Sequence, residues 1–317
     1  MKETLSNANF PRDGEGRVYH ISVKRGEVAN RILTVGDHVR AKAIAALLDS
    51  EEEAGHPTFT KLSQRGFLTI TGRYKGVPVT IMAIGMGNCM MDFFVRETRA
   101  VTSGPIAIIR FGSCGSLTER GPPGAVVVPR GGYCIRRNID YFAAKPVNRE
   151  LNEPYLVSGV FNADPAITEI LEKTIMDAIA PLEAEHSEIG PVLTGGLNAD
   201  GCSFYSAQGR QDPTFRDENE QVIKKALAIH PDTDSLEMET SMLFHLAACA
   251  QDPEQPILAA GCMQVFADRV NNGFIKPEVV KLLEPTVGKG VLEALIRVEL
   301  ENTLDEKGTV WERAPKI

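Results

Sequence analysis

Four short segments carry residue types that bind anions, polyols or planar heterocycles. The first is Gly36-Asp37-His38-Val39-Arg40, a strand end leading into a helix. Glycine admits close backbone approach, the first N–H groups of a helix favour an anion, and Arg40 adds a guanidinium fork suited to phosphate oxygens. The second is Ile109-Arg110-Phe111-Gly112-Ser113-Cys114-Gly115-Ser116. An arginine closing an apolar buried strand is costly unless it is paired. Gly112 and Gly115 bracket an expected turn whose N–H groups, with the Ser113 hydroxyl, can cradle an oxyanion. The third is Phe204-Tyr205-Ser206-Ala207-Gln208-Gly209-Arg210, an aromatic face beside an amide and a guanidinium two residues apart. Gln208 both donates and accepts while Arg210 only donates, a set that suits a heterocycle with carbonyls and a ring N–H. The fourth is Glu237-Met238-Glu239 ahead of an apolar helix, where Glu239 can accept from a sugar diol and Met238 can pack on the sugar ring.

Alone, each segment is explained as well or better by ordinary structure: a helix start, an arginine paired with an internal carboxylate, a solvated loop, acids complementing a helix dipole. Cys114 as a nucleophile lacks a histidine nearby in the sequence. The Gly85-Met86-Gly87 turn fails as a dinucleotide fingerprint, because Met90 stands where the third glycine belongs.

The elements that must position these groups alternate between β-rich runs and helical patterns, the signature of strands wrapped by helices. Strands are expected at Arg31–Val35, Pro105–Phe111 (stopping at the glycines), Val126–Val128, Val192–Leu197 and Pro256–Met263, with a hairpin over Phe67–Tyr74 and Val77–Ile84. Helices are expected from Val39 to Ser50 and over Met90–Thr102, Ala166–Ile179 (on the surface), Glu218–Ile229, Glu239–Ala250 and Val291–Leu300. Residues 143–165, 183–190 and 209–218 read as loops. No repeat or linker separates two units, so one domain is expected over 1–317, with 1–16 as a polar N-terminal extension.

The 317 residues carry 34 basic against 42 acidic side chains, a net charge of −8. That balance lacks the basic footprint of a nucleic-acid binder. No apolar run approaches the roughly 18 residues that span a bilayer, and Met1–Arg17 has no apolar h-region of a signal peptide. Six cysteines without a C-x-x-C pair suit reduced thiols rather than disulfides or a zinc site. A cytoplasmic enzyme without a bound metal is the expectation.

Seven motifs run in a fixed order: VYH at Val18–His20, VGDHVR at Val35–Arg40, SQRGF at Ser63–Phe67, AIGMG at Ala83–Gly87, IIRFGSCGS at Ile108–Ser116, FYSAQGR at Phe204–Arg210 and EMET at Glu237–Thr240. Together they resemble the nucleoside phosphorylase-I family, and within it the uridine phosphorylases, over roughly residues 17–135 and 190–300. The resemblance implies one α/β domain, with a mixed, twisted central sheet forming a distorted barrel surrounded by helices. It implies reversible phosphorolysis of uridine to uracil and ribose 1-phosphate, phosphate attacking C1′ with inversion. It places phosphate on Gly36, Arg40, Arg110 and Ser113, joined by Arg65 from a neighbouring subunit. Ribose would meet Met238 and Glu239, with His20 arriving from the neighbour. The base would meet Phe204, Gln208 and Arg210, assisted by Arg269, and Arg110, Gln208, Arg210 and Glu239 would form the catalytic set. Inorganic phosphate is then a substrate, no cofactor is implied, and a homodimer is the smallest complete assembly.

Several residues depart from the family pattern. His38-Val39 replaces the usual Pro-acidic pair, and Asn88-Cys89 follows the GMG turn where small residues are usual. Ser113 replaces threonine but keeps the hydroxyl. Gly66 stands where hexameric members carry a cation-binding glutamate, which argues against a shared potassium site. Asp268 stands where purine nucleoside phosphorylases carry the aspartate that protonates purine N7. A purine nucleoside phosphorylase acting through Asp268 is therefore the alternative, followed by a water-using nucleosidase and a non-catalytic nucleoside-binding protein.

Overall fold

A computed structural model describes residues 5–148, 150, 152–301, 303 and 306–313. Residues 1–4 of the expected N-terminal extension, and 149 and 151 of the expected 143–165 loop, lie outside the described residues. The strands are β1 (Arg31–Val35), β2 (Phe59–Leu62), β3 (Leu68–Tyr74), β4 (Val77–Ala83), β5 (Ile106–Ser116), β6 (Val126–Val128), β7 (Gly131–Arg137), β8 (Tyr155–Val157), β9 (Phe161–Asn162), β10 (Val192–Thr194), β11 (Leu197–Gly201), β12 (Thr233–Glu237) and β13 (Ile257–Asp268). The α-helices are α1 (His38–Ala45), α2 (Glu51–Ala54), α3 (Asn88–Arg99), α4 (Pro165–Glu185), α5 (Val222–Ile229), α6 (Thr240–Ala248) and α7 (Pro277–Arg297).

All these strands join one mixed sheet in the order β2-β3-β4-β1-β5-β12-β11-β7-β8, with β13, β6 and β10 branching from β5 and β9 pairing with β7. The fold class is the mixed α/β one expected from the sequence, but the sheet does not close into a barrel, because β2 and β8 end the path unpaired with each other.

Side chains alternate across the sheet with period two, and this divides the core. Leu33 and Val35 of β1 and Ala107, Ile109 and Phe111 of β5 join a cluster with Ile44 of α1, Leu171 and Ile175 of α4, and Leu283 and Val291 of α7. Ile32, Ile106 and Ile108 face the other way, against Met91 and Phe94 of α3 and Leu243 and Phe244 of α6. Arg110 therefore emerges on the α3/α6 side and Phe111 on the α1/α7 side. The N-terminal segment is tied on through Arg12, whose Nη2 donates to Ala100 O at 3.0 Å. Among the described residues, no helix is long and apolar enough to cross a membrane.

Several elements differ from the sequence expectation. Strand β5 runs through Gly112-Ser113-Cys114-Gly115 to Ser116, paired in parallel with β13 from Ile257↔Ile106 to Asp268↔Ser116. The expected oxyanion-cradling turn is thus a strand, with its backbone committed to a ladder. The Val192–Leu197 run is two strands that separate at Gly195-Gly196: β10 pairs with β6, while β11 pairs with β7 and β12. The surface helix is α4, capped by the Asp164 carboxylate and buried along Ile167, Leu171, Ile175 and Ile179. Helix α7 begins at Pro277 rather than Val291, and Pro285 lies inside it. Strands β8 and β9 lie inside the expected 143–165 loop, and β2, β7 and β12 fall where the sequence predicts no strand.

Candidate active site

The carboxyl ends of the central strands, the usual ligand position in open α/β sheets, surround a cavity of about 340 Å³. All four segments reach it. Gly36, Arg40, Arg110, Ser113, Phe204, Gln208, Arg210, Met238 and Glu239 line its wall. His20, Arg65, Asp268 and Arg269 do not.

Two of the lining residues are buried arginines, Arg40 and Arg110. Arg110, 3% exposed, donates from Nη2 to Glu239 Oε2 at 2.5 Å, while its buried Nε and Nη1 have no hydrogen-bond partner among the described residues. Leaving buried charged donors unmet costs several kcal/mol by order of magnitude, so this guanidinium is built for another acceptor. The internal-carboxylate reading of Arg110 is half right: Glu239 satisfies one nitrogen and leaves two. Arg40 lies 4.9 Å over the Phe111 ring and donates from Nε to Glu284 Oε1 at 2.9 Å. The N–H groups opening α1 are less available than the sequence suggested, because Asp37 Oδ1 accepts from both Val39 N and Arg40 N at 2.9 Å.

The other oxygen of Glu239 accepts from Gly87 N at 2.6 Å. Gly87 has φ +98°, a conformation open to glycine, and the GMG turn thereby aims this N–H at the carboxylate. Two further buried acids crowd Glu239. Glu237 accepts from Asn198 Nδ2, Glu239 N and Thr240 N, and burial followed by repulsion from Glu239 pushes its carboxyl up to about 7. Asp200 accepts from Ser241 Oγ at 2.8 Å, and burial followed by Glu237 holds it well above the ordinary carboxylate range.

Arg210, also on the wall, lies 3.7 Å over the Phe204 ring, and its Nη1 donates to Gln208 Oε1 and to Phe204 O. Burial, and then Arg269, lower its guanidinium to about 10, which leaves it cationic at neutral pH. Gln208 Nε2 reaches Glu237 O at 3.4 Å, a loose contact in a residue 3% exposed. Arg269 supports this group from behind, donating from Nη2 to Gln208 O at 3.0 Å. Its Cγ would lie 2.9 Å from a Cβ at position 115, which is why glycine stands there.

Asp268 turns away from the cavity. It accepts from Val270 N, Asn271 N and Asn271 Nδ2. Burial pulls its carboxyl up, but the bonds from Asn271 and Val270 prevail and hold it below its ordinary range. Cys114 is 5% exposed, and burial followed by Glu237 keeps its thiol well above its ordinary range, so it is no ready nucleophile.

His20 and Arg65 meet on the outer surface around Tyr19. Arg65 Nη2 donates to Tyr19 Oη at 2.5 Å. His20 stacks on Phe93 at 3.8 Å between centroids, with Nδ1 2.6 Å from Glu97 Oε1. Glu284, Asp200 and the exposed Phe274 at the mouth were not singled out from sequence. Glu284 lies 244 positions from Arg40, and nothing local marks it.

The model of the phosphorylase superfamily matches residues 30–272. The chain belongs to that superfamily. The membership agrees with the resemblance read from the seven motifs, and it makes the chain an enzyme, a pentosyltransferase. The uridine phosphorylase of Thermococcus kodakarensis is 30% identical over 282 residues, 87% of this chain and 86% of that one. A solved structure from work on two diverse uridine phosphorylases of the oomycete Phytophthora capsici is 39% identical, with a TM-score of 0.86 over 94% of this chain and 100% of that one. A DeoD-type purine nucleoside phosphorylase of Photorhabdus laumondii is 28% identical over 177 residues, 49% of this phosphorylase and 71% of its own length.

Proposed function

We propose that this phosphorylase catalyses the reversible phosphorolysis of uridine to uracil and ribose 1-phosphate. The observation that carries the reading is the pair of Arg110 nitrogens without a hydrogen-bond partner among the described residues, in a cavity whose wall also carries Glu239, Gln208 and Arg210. Phosphate held by Arg40, Arg110 and Ser113 stands on one face of the sugar and attacks C1′ with inversion. The C1′–N bond breaks toward the base, leaving positive charge on the ribose and negative charge on uracil. Glu239 orients the ribose hydroxyls, Met238 covers the ring, and donors from Gln208 and Arg210 receive the charge on the uracil carbonyls. Preorganised donors of this kind are worth about 3 kcal/mol each in the transition state.

The two relatives named as uridine phosphorylases span most of this chain, which supports uridine over a purine nucleoside. Asp268 supports the same choice, since its carboxylate is held ionised within its own loop and is poorly placed to give a proton to purine N7. The reaction takes no cofactor in this reading. Arg65 and His20 act in a neighbouring subunit of at least a homodimer, and the enzyme serves pyrimidine salvage in the cytoplasm.

Base release from uridine and inosine, each with and without phosphate, tests the reading. Phosphate-dependent uracil release is expected, and it should collapse in Gln208→Ala. Inosine cleavage that survives Gln208→Ala and is lost in Asp268→Ala would transfer the chemistry to Asp268. Release without phosphate would make the protein a nucleosidase, and binding without turnover would leave it a nucleoside-binding protein.

A further inference from the structure

The contacts of Arg40 single out a residue far from the motifs. Its side chain, with the residue 4% exposed, reaches from α1 to α7 and commits two of its three nitrogens to one oxygen: Nε to Glu284 Oε1 at 2.9 Å and Nη2 to the same atom at 2.8 Å. Gln264 of β13 donates from Nε2 to that oxygen as well, at 3.2 Å. Gln264 is fully buried and stands beside Ser113 in the β5–β13 register. Arg40 Nη1 makes no hydrogen bond among the described residues, and Arg40 lines the cavity.

We propose that Glu284 is a positioning residue for the second substrate: it fixes the Arg40 guanidinium so that Nη1 faces the phosphate. This rests on the reading of Arg40 and Arg110 as the phosphate site. A free arginine side chain samples many rotamers, and ordering it on ligand binding costs affinity. Glu284, itself held by Gln264, meets that cost in the resting enzyme. The carboxylate also carries a negative charge toward an anion site, which opposes phosphate. Orientation and charge thus act in opposite directions, and two substitutions separate them. Glu284→Gln keeps an acceptor for Arg40 and removes the charge, whereas Glu284→Ala removes both.

The experiment is titration of inorganic phosphate into the purified wild-type enzyme and both variants, alongside the KM of each for phosphate and for nucleoside. For Glu284→Ala, the phosphate Kd and KM should rise about tenfold with the nucleoside KM unchanged, as expected from losing charge-assisted bonds. Glu284→Gln should stay within about threefold of wild type or bind phosphate more tightly. The inference is overturned if Glu284→Ala binds phosphate as tightly as Glu284→Gln, or if both KM values rise together, the mark of general structural damage. Should the wild type bind phosphate but cleave no nucleoside, the proposed function fails, and the ratio of phosphate Kd values still decides the role of Glu284. A wild type that binds no phosphate overturns both.

Discussion

Three buried carboxylates, Asp200, Glu237 and Glu239, share the neighbourhood of one buried guanidinium, Arg110, and that imbalance governs the chemistry of individual residues in the site. Glu239 holds the direct ion pair, and both its oxygens are engaged, so it stands fixed. Glu237 bears the cost of the crowding, its carboxyl raised from 4.5 to about 7 by burial and by Glu239. A carboxyl whose folded-state pKa exceeds its unfolded value binds its proton more tightly in the folded chain. Its contribution is complete below about 4.5 and is lost as pH climbs through about 7. Stability should therefore decline across that window, and Glu237→Gln should flatten the decline. Asp200 is shifted in the same direction, so the slope should shrink rather than vanish. Urea denaturation at several pH values between these limits measures the slope directly; an identical slope in the variant would mean that Glu237 ionises normally.

At the scale of elements, α7 is the support on which Arg40 rests, and two of its glycines set how closely its neighbours approach. A Cβ at Gly288 would lie 2.6 Å from Ile44 Cγ1 on α1, and one at Gly290 would lie 2.8 Å from Ile175 Cδ1 on α4. Gly288→Val and Gly290→Val should each destabilise by about 1–3 kcal/mol through overpacking. Their effects on catalysis should differ, because α1 carries Arg40 and α4 carries no residue of the site. Gly288→Val should raise the phosphate KM as well as lower Tm, whereas Gly290→Val should lower Tm alone. Equal kinetic effects would show that the support is shared by the whole helix pair. The same elements explain what was legible in the sequence. Runs such as Arg31–Val35 and Val77–Ile84 declare themselves locally, because their apolar side chains face both halves of the core. Strand β5 was cut short at Phe111 because glycines signal turns locally, while the pairing that carries the strand on to Ser116 comes from β13, distant in sequence. Strand β12, Thr-Asp-Ser-Leu-Glu, looks like loop yet is buried throughout, its Asp234 meeting Arg120 and its Ser235 donating to Asn198. All four chemical segments were legible because ligand groups cluster at strand ends. Glu284 was not, because a helix glutamate acquires its role only when the fold brings Arg40 to it.

Across the whole molecule, the two residues expected to serve a neighbouring subunit both miss the cavity of their own chain, and they miss it together. Arg65 and His20 gather around Tyr19 on the outer surface, where Arg65 is exposed and lies 5.2 Å over the tyrosine ring. The Arg65 guanidinium is exposed, and the half-buried His20 imidazole is held by Phe93 and Glu97. If they complete a neighbour's phosphate and ribose contacts, each active site is built from two chains, and defects in the two parts should complement. Arg65→Ala and Arg110→Ala should each abolish phosphorolysis as pure proteins. Co-refolded in equal amounts, they should recover about a quarter of wild-type activity, since random pairing makes half of the dimers mixed and each mixed dimer holds one intact site of two. If Arg65 instead served the cavity of its own chain, every site in the mixture would carry one defect or the other. The mixture would then stay as inactive as its components, and the monomer would have to be the catalytic unit.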